Sequence, residues 1–451
     1  MTISRRKFLS GVGGAAGLLT LGRHTSSSKR NETPPEADKI LLKGGYIISM
    51  DDEIGELPEG DILIENGKIS RIAEEIESQG EVIDASDHII IPGFVDTHRH
   101  MWQGTLRNIL PNGTLEDYME TITGTYRSKF RPEDAYIGDL VSGLSAISAG
   151  VTTVLDWSHI GNSPDHTDAA IEGLMESGIR GVYAYGGGAE GEQNRFPEDI
   201  KRLREEWFNS DDQLVTLAMA AGINEDQWKL ARDVGASISV HVNTSGDLLP
   251  MAELMGEDVT CIHCARLLDE EWELMADFGA GLSISAPIEM QMGHGIPPIM
   301  QARRHGIKPS LSVDVETSIA TDMFTQMRSI FSLQRMQAHY EEQQGDTKDL
   351  MTVEEALEYA TLQGAKDNGL ADKTGSLSPG KAADLIALRT KDINVFPVNH
   401  PLGAAVLNMD TSNVDMVMIN GKIKKWKGEL IGVDLEKIFE EAAESQRYLT
   451  E

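Results

Sequence analysis

Two histidines one residue apart are the first residues of this chain that could do chemistry. His98 and His100 end an apolar run that begins at Ile89. Residues i and i+2 of a β-strand point to the same face, so both imidazoles are predicted to project from the C-terminal end of one strand. Two imidazoles placed in this way can bind one divalent metal ion. Two solvated histidines on a surface strand would have the same spacing, so the downstream residues must separate these interpretations.

Three more residues that can bind a metal or accept a proton follow apolar runs further along the chain. They are His241, His263 and Asp314. Each has a structural interpretation on its own: His263 could be a hydrogen-bonded core histidine, and Asp314 could cap the helix that follows it. Five residues of these types, each at the end of a predicted strand, favour one shared metal site.

The elements that position these residues are predicted to be βα units, because short apolar segments alternate with amphipathic helices. One such helix is predicted to begin at Asp269 and to end at Gly279. Eight strands are predicted, ending near His100, Asp156, Tyr185, Ala220, His241, His263, Ala286 and Asp314. Eight parallel strands close an α/β fold of the (β/α)8 TIM barrel type, in which the C-terminal ends of the strands meet at one mouth. An open, doubly wound sheet is the alternative, but it would not naturally place polar residues at the ends of the first, fifth, sixth and eighth strands.

Strand-rich segments flank the predicted barrel on both sides. Asn66-Gly67 predicts a hairpin turn, and a similar pattern of short strands and turns returns after Gly380. The two ends are therefore predicted to form one discontinuous β-sandwich domain. The predicted boundaries are 1–37 for a signal and linker, 38–90 and 375–432 for the β-sandwich, 91–374 for the barrel and 433–451 for a C-terminal helix.

The composition narrows the range of partners. The chain has 72 acidic and 40 basic residues and a formal charge of −32, so nucleic acid and anionic membranes would be repelled. A small-molecule substrate is the predicted partner, and a homo-oligomer is left open. The two cysteines, Cys261 and Cys264, are predicted to be buried free thiols, because an i to i+3 disulfide across an extended segment has poor geometry.

The N-terminal segment predicts export. Arg5 and Arg6 precede Lys7-Phe8-Leu9 and a weakly apolar, glycine-rich stretch, which resembles a twin-arginine signal. A basic tail is the alternative, and no clear Ala-x-Ala cleavage site follows. Twin-arginine transport carries folded proteins, so a periplasmic or extracytoplasmic location is expected. No other segment reaches the roughly 20 consecutive apolar residues of a transmembrane helix.

Three segments together resemble the amidohydrolase superfamily. They are residues 92–100, which end in His98-Arg99-His100, the predicted second strand at 150–156, and residues 375–385 near the C-terminus. The resemblance extends over essentially everything after about residue 38. It indicates the branch that contains cytosine, guanine and S-adenosylhomocysteine deaminases and the s-triazine (atrazine) chlorohydrolases.

The resemblance implies a TIM barrel with a flanking β-sandwich and one divalent metal, zinc or alternatively iron. His98, His100, His241 and Asp314 would hold the metal, and His263 would hydrogen-bond the attacking water. Asp314 would also take the proton of that water. Binuclear relatives have a lysine on the fourth strand, whereas residues 214–220 of this chain contain none, which favours one metal ion.

The chain departs from the deaminase pattern at one position. Relatives in that branch have a glutamate three residues after the histidine of the fifth strand, where it protonates a ring nitrogen. This chain has Thr244 at that position. Glu289 is the predicted substitute, because the loop after the seventh strand opens on the same barrel mouth.

The substrate is predicted to be a flat polar ring. The residues predicted to contact it lie on loops at the barrel mouth: Trp102, Gln103, His159, Thr244 and His294. The predicted function is a metal-dependent hydrolase that cleaves a carbon–nitrogen bond of a cyclic amidine or heteroaromatic compound through water activated by the metal. Hydrolysis of an amide or lactam, or removal of a halide, is the first alternative. A non-catalytic extracytoplasmic binding protein is the second, and the intact set of five metal-site residues speaks against it.

Overall fold

The computed structural model describes residues 33–210, 212–345 and 349–451. The paired arginines of the predicted export signal lie outside these residues. Residues Pro35–Glu451 form one structural unit. Within the described parts of the chain, no helix is both long enough and apolar enough to cross a lipid bilayer.

The strands fall into two sheets. In chain order they are β1 Lys39–Ile48, β2 Glu56–Glu65, β3 Lys68–Ala73, β4 Glu81–Asp84, β5 His88–Pro92, β6 Phe94–Arg99, β7 Val151–Gly161, β8 Arg180–Gly187, β9 Val215–Ala221, β10 Ser237–Val242, β11 Val259–His263, β12 Gly281–Ile284, β13 Ser310–Leu311, β14 Leu385–Arg389, β15 Val414–Ile419, β16 Lys422–Trp426 and β17 Glu429–Leu430.

The α-helices connect and cover these strands. In chain order they are α1 Leu115–Tyr118, α2 Pro132–Ser148, α3 Pro164–Ser177, α4 Ile200–Glu206, α5 Glu225–Asp233, α6 Asp269–Phe278, α7 Ala286–Met292, α8 Ile299–Arg304, α9 Met323–Gln344, α10 Val353–Tyr359, α11 Leu362–Asp367, α12 Pro401–Gly403 and α13 Leu435–Thr450. The predicted helix at Asp269 is α6, and Gly279 ends it with φ +70°, a left-handed conformation that favours glycine.

β6 to β13 form an eight-stranded parallel barrel in sequence order. The last strand is short, and hydrogen bonds of Asp314 close the ring onto β6. Its N–H lies 2.8 Å from the carbonyl oxygen of His98, and its carbonyl oxygen lies 2.9 Å from the N–H of His100. The predicted TIM barrel is therefore confirmed, and the open-sheet alternative is wrong, because an open sheet would leave its first and last strands apart.

The second sheet combines strands from both ends of the chain. β5 and β14 pair antiparallel and join β1–β4 to β15–β17 in a nine-stranded mixed sheet. The first half of β1 pairs with β4, and its second half pairs with β5 along the same edge. The sheet packs around a core that includes Ile40, Ile90, Leu385 and Met418. The domain boundaries stay a prediction, although both strand-rich ends contribute to this sheet. After the sheet, α13 packs on α2 through Ile438.

Candidate metal centre and active site

Five side chains meet at the C-terminal mouth of the barrel, and we call them the five-residue cluster: His98, His100, His241, His263 and Asp314. Asp314 lies at its centre. Its Oδ1 is 3.1 Å from Nε2 of His98 and 3.4 Å from Nε2 of His100, and its Oδ2 is 3.8 Å from Nε2 of His263. The ring of His241 is 4.7 Å from that of His98, measured between centroids. The sequence placed these residues at strand ends, and the barrel brings all five together.

A buried ion-pair network holds the two strands that meet at the cluster. Nε of Arg99 donates to Asp96 over 2.8 Å, and its Nη1 donates to Glu316 over 3.3 Å. Oδ1 of Asp96 also accepts the backbone N–H of Val313 over 3.1 Å. The network links β6 to the segment that carries Asp314 and so stabilises the closure of the barrel.

Three residues at the cluster have an unusual backbone conformation. His263, Cys264 and Asp314 have φ values of +67°, +56° and +70°. A positive φ is uncommon for residues with a Cβ and costs on the order of 1–3 kcal/mol. Here it turns His263 and Asp314 out of strand geometry toward one another. Cys261 and Cys264 are buried free thiols, as predicted.

Hydrogen bonding and burial set the protonation states of the cluster. Nδ1 of His100 lies 2.8 Å from the carbonyl oxygen of Trp157, which only accepts, so Nδ1 carries the proton and Nε2 presents a lone pair. Burial lowers the pKa of His100 to about 3 and lowers the pKa values of His98 and His241. Burial opposes ionisation of Asp314, but the hydrogen bond to His98 and the other nearby histidines bring its pKa well below the usual range. Neutral imidazoles beside an ionised carboxylate are the states that bind a divalent metal.

The geometry of the cluster fits a transition metal ion. His98, His100 and His241 form one group, and His98, His263 and Asp314 form another, each with candidate ligand atoms within 4.8 Å of one another. Nδ1 of His98 is buried and has no hydrogen-bond partner among the described residues. Imidazole nitrogens with one carboxylate oxygen are a ligand set typical of zinc and compatible with iron.

Glu289 contacts the cluster from behind. Its Oε1 lies 3.1 Å from Nδ1 of His263 and accepts the N–H of Ser285 over 2.9 Å. Since Oε1 already accepts that N–H, Nδ1 of His263 is the donor, and Nε2 of His263 is left facing Asp314. Glu289 is fully buried and does not line the substrate cavity. This corrects the prediction that Glu289 protonates the substrate: α7 begins at Ala286, two residues after β12 ends, and its first turn points the carboxylate at His263.

A cavity of about 510 Å³ opens above the cluster and is bordered by His159, His294, Tyr118 and Trp157. Volumes of roughly 300–1,000 Å³ are typical of small-molecule sites. Both ring nitrogens of His294 are buried and unpartnered among the described residues, and burial lowers the pKa of His294 to about 4. His159 and His294 therefore lie where substrate contact was predicted.

Trp102, Gln103 and Thr244 do not line the cavity. The 3₁₀ turn Met101–Leu106 buries Trp102 and Gln103 behind it. Trp102 packs edge-on against His159, and Nε2 of Gln103 donates to the Tyr118 hydroxyl over 2.5 Å. Both residues thus support lining residues without facing the cavity.

Thr244 is exposed beyond the end of β10, where its N–H donates to Asp247 over 3.2 Å. Asn243, one residue earlier, lines the cavity in its place. The strand geometry that predicts the face of His241 no longer applies after Val242, where β10 ends.

One side of the cavity is formed by the connection after β6, and we call residues 115–127 the loop wall. Its lining residues are Leu115, Tyr118, Met119, Thr123 and Arg127. The sequence analysis missed all of them. Four of them, Leu115, Met119, Thr123 and Arg127, recur every four residues, and this spacing was the available signal, because it is typical of one helical face. The wall consists of α1 followed by a π-helical segment, Met119–Tyr126.

Two buried carboxyl groups lie behind the cluster. Oδ1 of Asp156 accepts the N–H of Met101 over 3.1 Å, and Asp139 is its neighbour. Burial raises the pKa of Asp156 to about 7, and burial together with the negative charge of Asp156 raises that of Asp139 well above its usual range. The pair therefore favours a state with at least one proton at neutral pH.

Comparison with known proteins agrees with this geometry. The model of the amidohydrolase family matches residues 89–424, which include all five cluster residues. The chain belongs to the amidohydrolase family.

Curated relatives align with this amidohydrolase over nearly their whole lengths. A 5'-deoxyadenosine deaminase of Methanosarcina barkeri is 26% identical over 91% of this chain and 98% of that protein. A 5-methylthioadenosine/S-adenosylhomocysteine deaminase of Caldicellulosiruptor saccharolyticus is 24% identical over 91% of this chain and 99% of its own. The family and these alignments identify the chain as a metal-dependent hydrolase that acts on carbon–nitrogen bonds.

Solved structures share the fold. An adenosine deaminase from Xanthomonas campestris with bound zinc superposes with a TM-score of 0.80 at 20% identity, over 92% of this chain and 99% of that one. A mutant atrazine chlorohydrolase from Arthrobacter aurescens, complexed with zinc and atraton, has a TM-score of 0.78 at 23% identity, over 90% of this chain and 100% of its own. At these identities the likeness concerns the barrel and its flanking sheet.

Proposed function

We propose that this amidohydrolase is a zinc-dependent aminohydrolase that replaces the exocyclic amino group of an adenine-type ring with oxygen. One water molecule is consumed and one ammonia molecule is released. The observation that carries the proposal is the convergence of His98, His100, His241 and Asp314, with His263 beside them, at the floor of a cavity of about 510 Å³. The curated relatives described above, which deaminate adenine nucleosides, support this substrate class.

His98, His100, His241 and Asp314 would hold the metal. A divalent ion at this site supplies Lewis-acid activation of the attacking water at neutral pH. The residues of the protein then position that water and move its protons.

The two carboxylate oxygens of Asp314 contact different histidines and can have different roles. Oδ1 lies within 3.4 Å of Nε2 of both His98 and His100, whereas Oδ2 faces Nε2 of His263. Oδ2 is placed to accept a proton from the attacking water and to deliver it to the departing amino group. Nε2 of His263 is placed to accept a hydrogen bond from the same water, because Glu289 holds the proton on Nδ1.

The ring nitrogen needs a donor, since Thr244 replaces the glutamate of the deaminase pattern. We assign this contact to His294. A neutral imidazole has one donor and one acceptor nitrogen, and both nitrogens of His294 lack partners among the described residues. Asn243 and His159 border the same cavity and can contact the remaining polar edge of the ring.

Export by the twin-arginine route to the periplasm or beyond is also part of this proposal. Its support is the sequence Arg5-Arg6-Lys7-Phe8-Leu9. Replacing Arg5 and Arg6 by lysine should leave active enzyme in the cytoplasm, as measured by fractionation. Unchanged fractionation of that variant would contradict export by this route.

The activity is tested with purified, zinc-loaded protein. Adenosine, 5'-deoxyadenosine and S-adenosylhomocysteine are assayed for ammonia release, and atrazine is assayed in parallel for chloride release. Ammonia from at least one nucleoside, lost in His98→Ala, is the expected result. Chloride from atrazine without ammonia from any nucleoside would replace the proposal with dehalogenation.

A further inference from the structure

Arg127 is the sole arginine or lysine among the residues that border the cavity. It follows the π-helical segment of the loop wall, and its side chain is about half buried. Its Nε is buried and has no hydrogen-bond partner among the described residues. A guanidinium group cannot give up its charge, so this position leaves a cation facing the substrate with a donor unused.

The two buried arginines of the described residues, Arg99 and Arg180, pair with Asp96 and Asp384, and the half-buried Arg303 pairs with Asp349. The half-buried Arg328 and Arg335 donate instead to the carbonyl oxygens of Met409 and Met351. For Arg127, no carboxylate oxygen of the described residues lies within ion-pair distance, and the charge of Glu190 acts on it only from further away. The chain has 72 acidic residues against 40 basic ones, so a shortage of carboxylates does not explain the difference.

The backbone holds Arg127 in place. Its carbonyl oxygen accepts Nδ2 of Asn162 over 2.8 Å, and Oδ1 of the same Asn162 accepts the N–H of Ala189 over 2.7 Å. Asn162 therefore ties the loop wall to the segments that follow β7 and β8. The guanidinium is thus carried by a backbone that Asn162 holds at the cavity.

We infer that the substrate carries one carboxylate, which Arg127 binds. The inference rests on the proposed deamination and specifies its substrate further. A guanidinium group and a carboxylate match in charge and can form two parallel hydrogen bonds. A phosphate monoester has a charge of about −1.5 to −2 near neutral pH and would call for a second cation, which the other lining residues do not supply.

Because the net charge of the protein is negative, Arg127 can attract a carboxylate only within the cavity. A charge of −32 repels anions at long range, but salt screens exposed charges beyond about 10 Å at 0.1 M ionic strength. Inside the cavity the guanidinium acts at contact distance. Arg127 therefore selects a carboxylate after it has entered.

The test compares three probes that share the adenine ring: adenosine, adenosine 5'-carboxylate and adenosine 5'-phosphate. Values of kcat/KM come from ammonia release by zinc-loaded enzyme. Kd values come from the fluorescence of the same protein, since Trp157 borders the cavity. The variants are Arg127→Met, which removes the charge, and Arg127→Lys, which keeps the charge but cannot form two parallel hydrogen bonds to a carboxylate. Arg304→Met, at a surface arginine paired with Glu341, is the control.

The wild type and the control should prefer the carboxylate over adenosine by at least about tenfold in kcat/KM and in Kd. Arg127→Met should abolish this preference, so that adenosine and its carboxylate give equal kcat/KM and equal Kd in that variant, and Arg127→Lys should retain part of it. No preference in the wild type, a preference that persists in Arg127→Met, or an equal preference for the phosphate would overturn the inference. Binding of none of the probes would also overturn it.

The two proposals can fail separately. Carboxylate binding that depends on Arg127, without ammonia from any probe, would sustain the inference and refute deamination. Ammonia from adenosine and from its carboxylate at equal kcat/KM would sustain deamination and refute the inference.

Discussion

The five-residue cluster and the loop wall border the same cavity but are built in different ways. Cluster residues lie at strand ends that the barrel brings together, and the ion pairs of Arg99 hold that closure. The loop wall is a short helix followed by a π-helical segment, with Arg127 left unpaired. The residues that carry out the chemistry need fixed positions and lie at strand ends. The residues that select a substrate lie on the helical connection after β6. Substitutions in the cluster should therefore affect turnover, and substitutions in the loop wall should affect selectivity.

The largest effect is expected from Asp314→Asn. An amide cannot accept the proton of the attacking water and binds metal weakly, so kcat should fall by roughly 10³-fold or more. Zinc content, measured by mass spectrometry, should fall below one equivalent, whereas the wild type should hold close to one. Asp415→Asn is the matched control, because Asp415 also contacts a histidine, His88 at 3.3 Å, but in the flanking sheet.

The control should keep its zinc and its turnover. Near-normal turnover of Asp314→Asn would refute Asp314 as the base. Two equivalents of zinc in the wild type, both required for activity, would refute a single-metal site.

A smaller effect on turnover is expected from Glu289→Gln. The amide can still accept a hydrogen bond from His263, but it can also turn its NH₂ group toward that nitrogen. Loss of a partner that orients a site histidine costs about 10–100-fold in activity or metal affinity. We expect a decrease of this size in kcat with little change in KM, because Glu289 does not border the cavity. The measurements are steady-state kinetics and the melting temperature of the same variant.

A destabilised Glu289→Gln protein with normal kcat would show that the carboxylate has only a structural role. Such a structural role would not come from an ion pair with Arg303, since Arg303 pairs with Asp349 and Glu355.

These two residues also show how far the sequence predicts the site. Asp314 could be predicted because strand periodicity and a closed barrel place the end of the eighth strand beside the first. Glu289 could be placed at the correct mouth, but the sequence does not reveal which way the first turn of α7 points its carboxylate. Trp102 and Gln103 were assigned to the cavity because they follow His100, whereas the 3₁₀ turn buries them. Arg127 was missed because its role depends on a π-helical segment and on a missing partner, and neither has a sequence signature.

The next effect concerns stability and its dependence on pH. The folded-state pKa values of Asp139 and Asp156 are raised, that of Asp156 to about 7. Protonated carboxyls are therefore favoured in the folded state, and this contribution is complete below the ordinary pKa of about 4 and is lost as the pH rises through about 7. In Asp139→Asn, one of the two buried charges cannot form. Its melting temperature should exceed that of the wild type by about 2–4 °C at pH 8 and by less at pH 5.

Calorimetry at both pH values and a fixed zinc concentration checks this prediction. Asp367, whose pKa burial also raises to about 7, is present in both proteins, so its contribution cancels in the comparison. A melting temperature of Asp139→Asn that lies below that of the wild type at both pH values would indicate that the amide disturbs the packing more than it relieves charge.

The smallest effect is expected at Thr244, where deaminases of this branch have their glutamate. Thr244 is exposed, and Asn243 borders the cavity in its place. Thr244→Ala should therefore leave kcat and KM within about twofold of the wild type, as is usual for exposed positions away from a site. Asn243→Ala removes a side chain that does face the cavity and should raise KM several-fold more than Thr244→Ala does. If Thr244→Ala lowers kcat by tenfold or more while Asn243→Ala has no effect, the end of β10 must rearrange when substrate binds. The loop wall would then not be the sole contributor to selectivity, and the contrast between a cluster on strand ends and a wall on a helical segment would have to include the loop after β10.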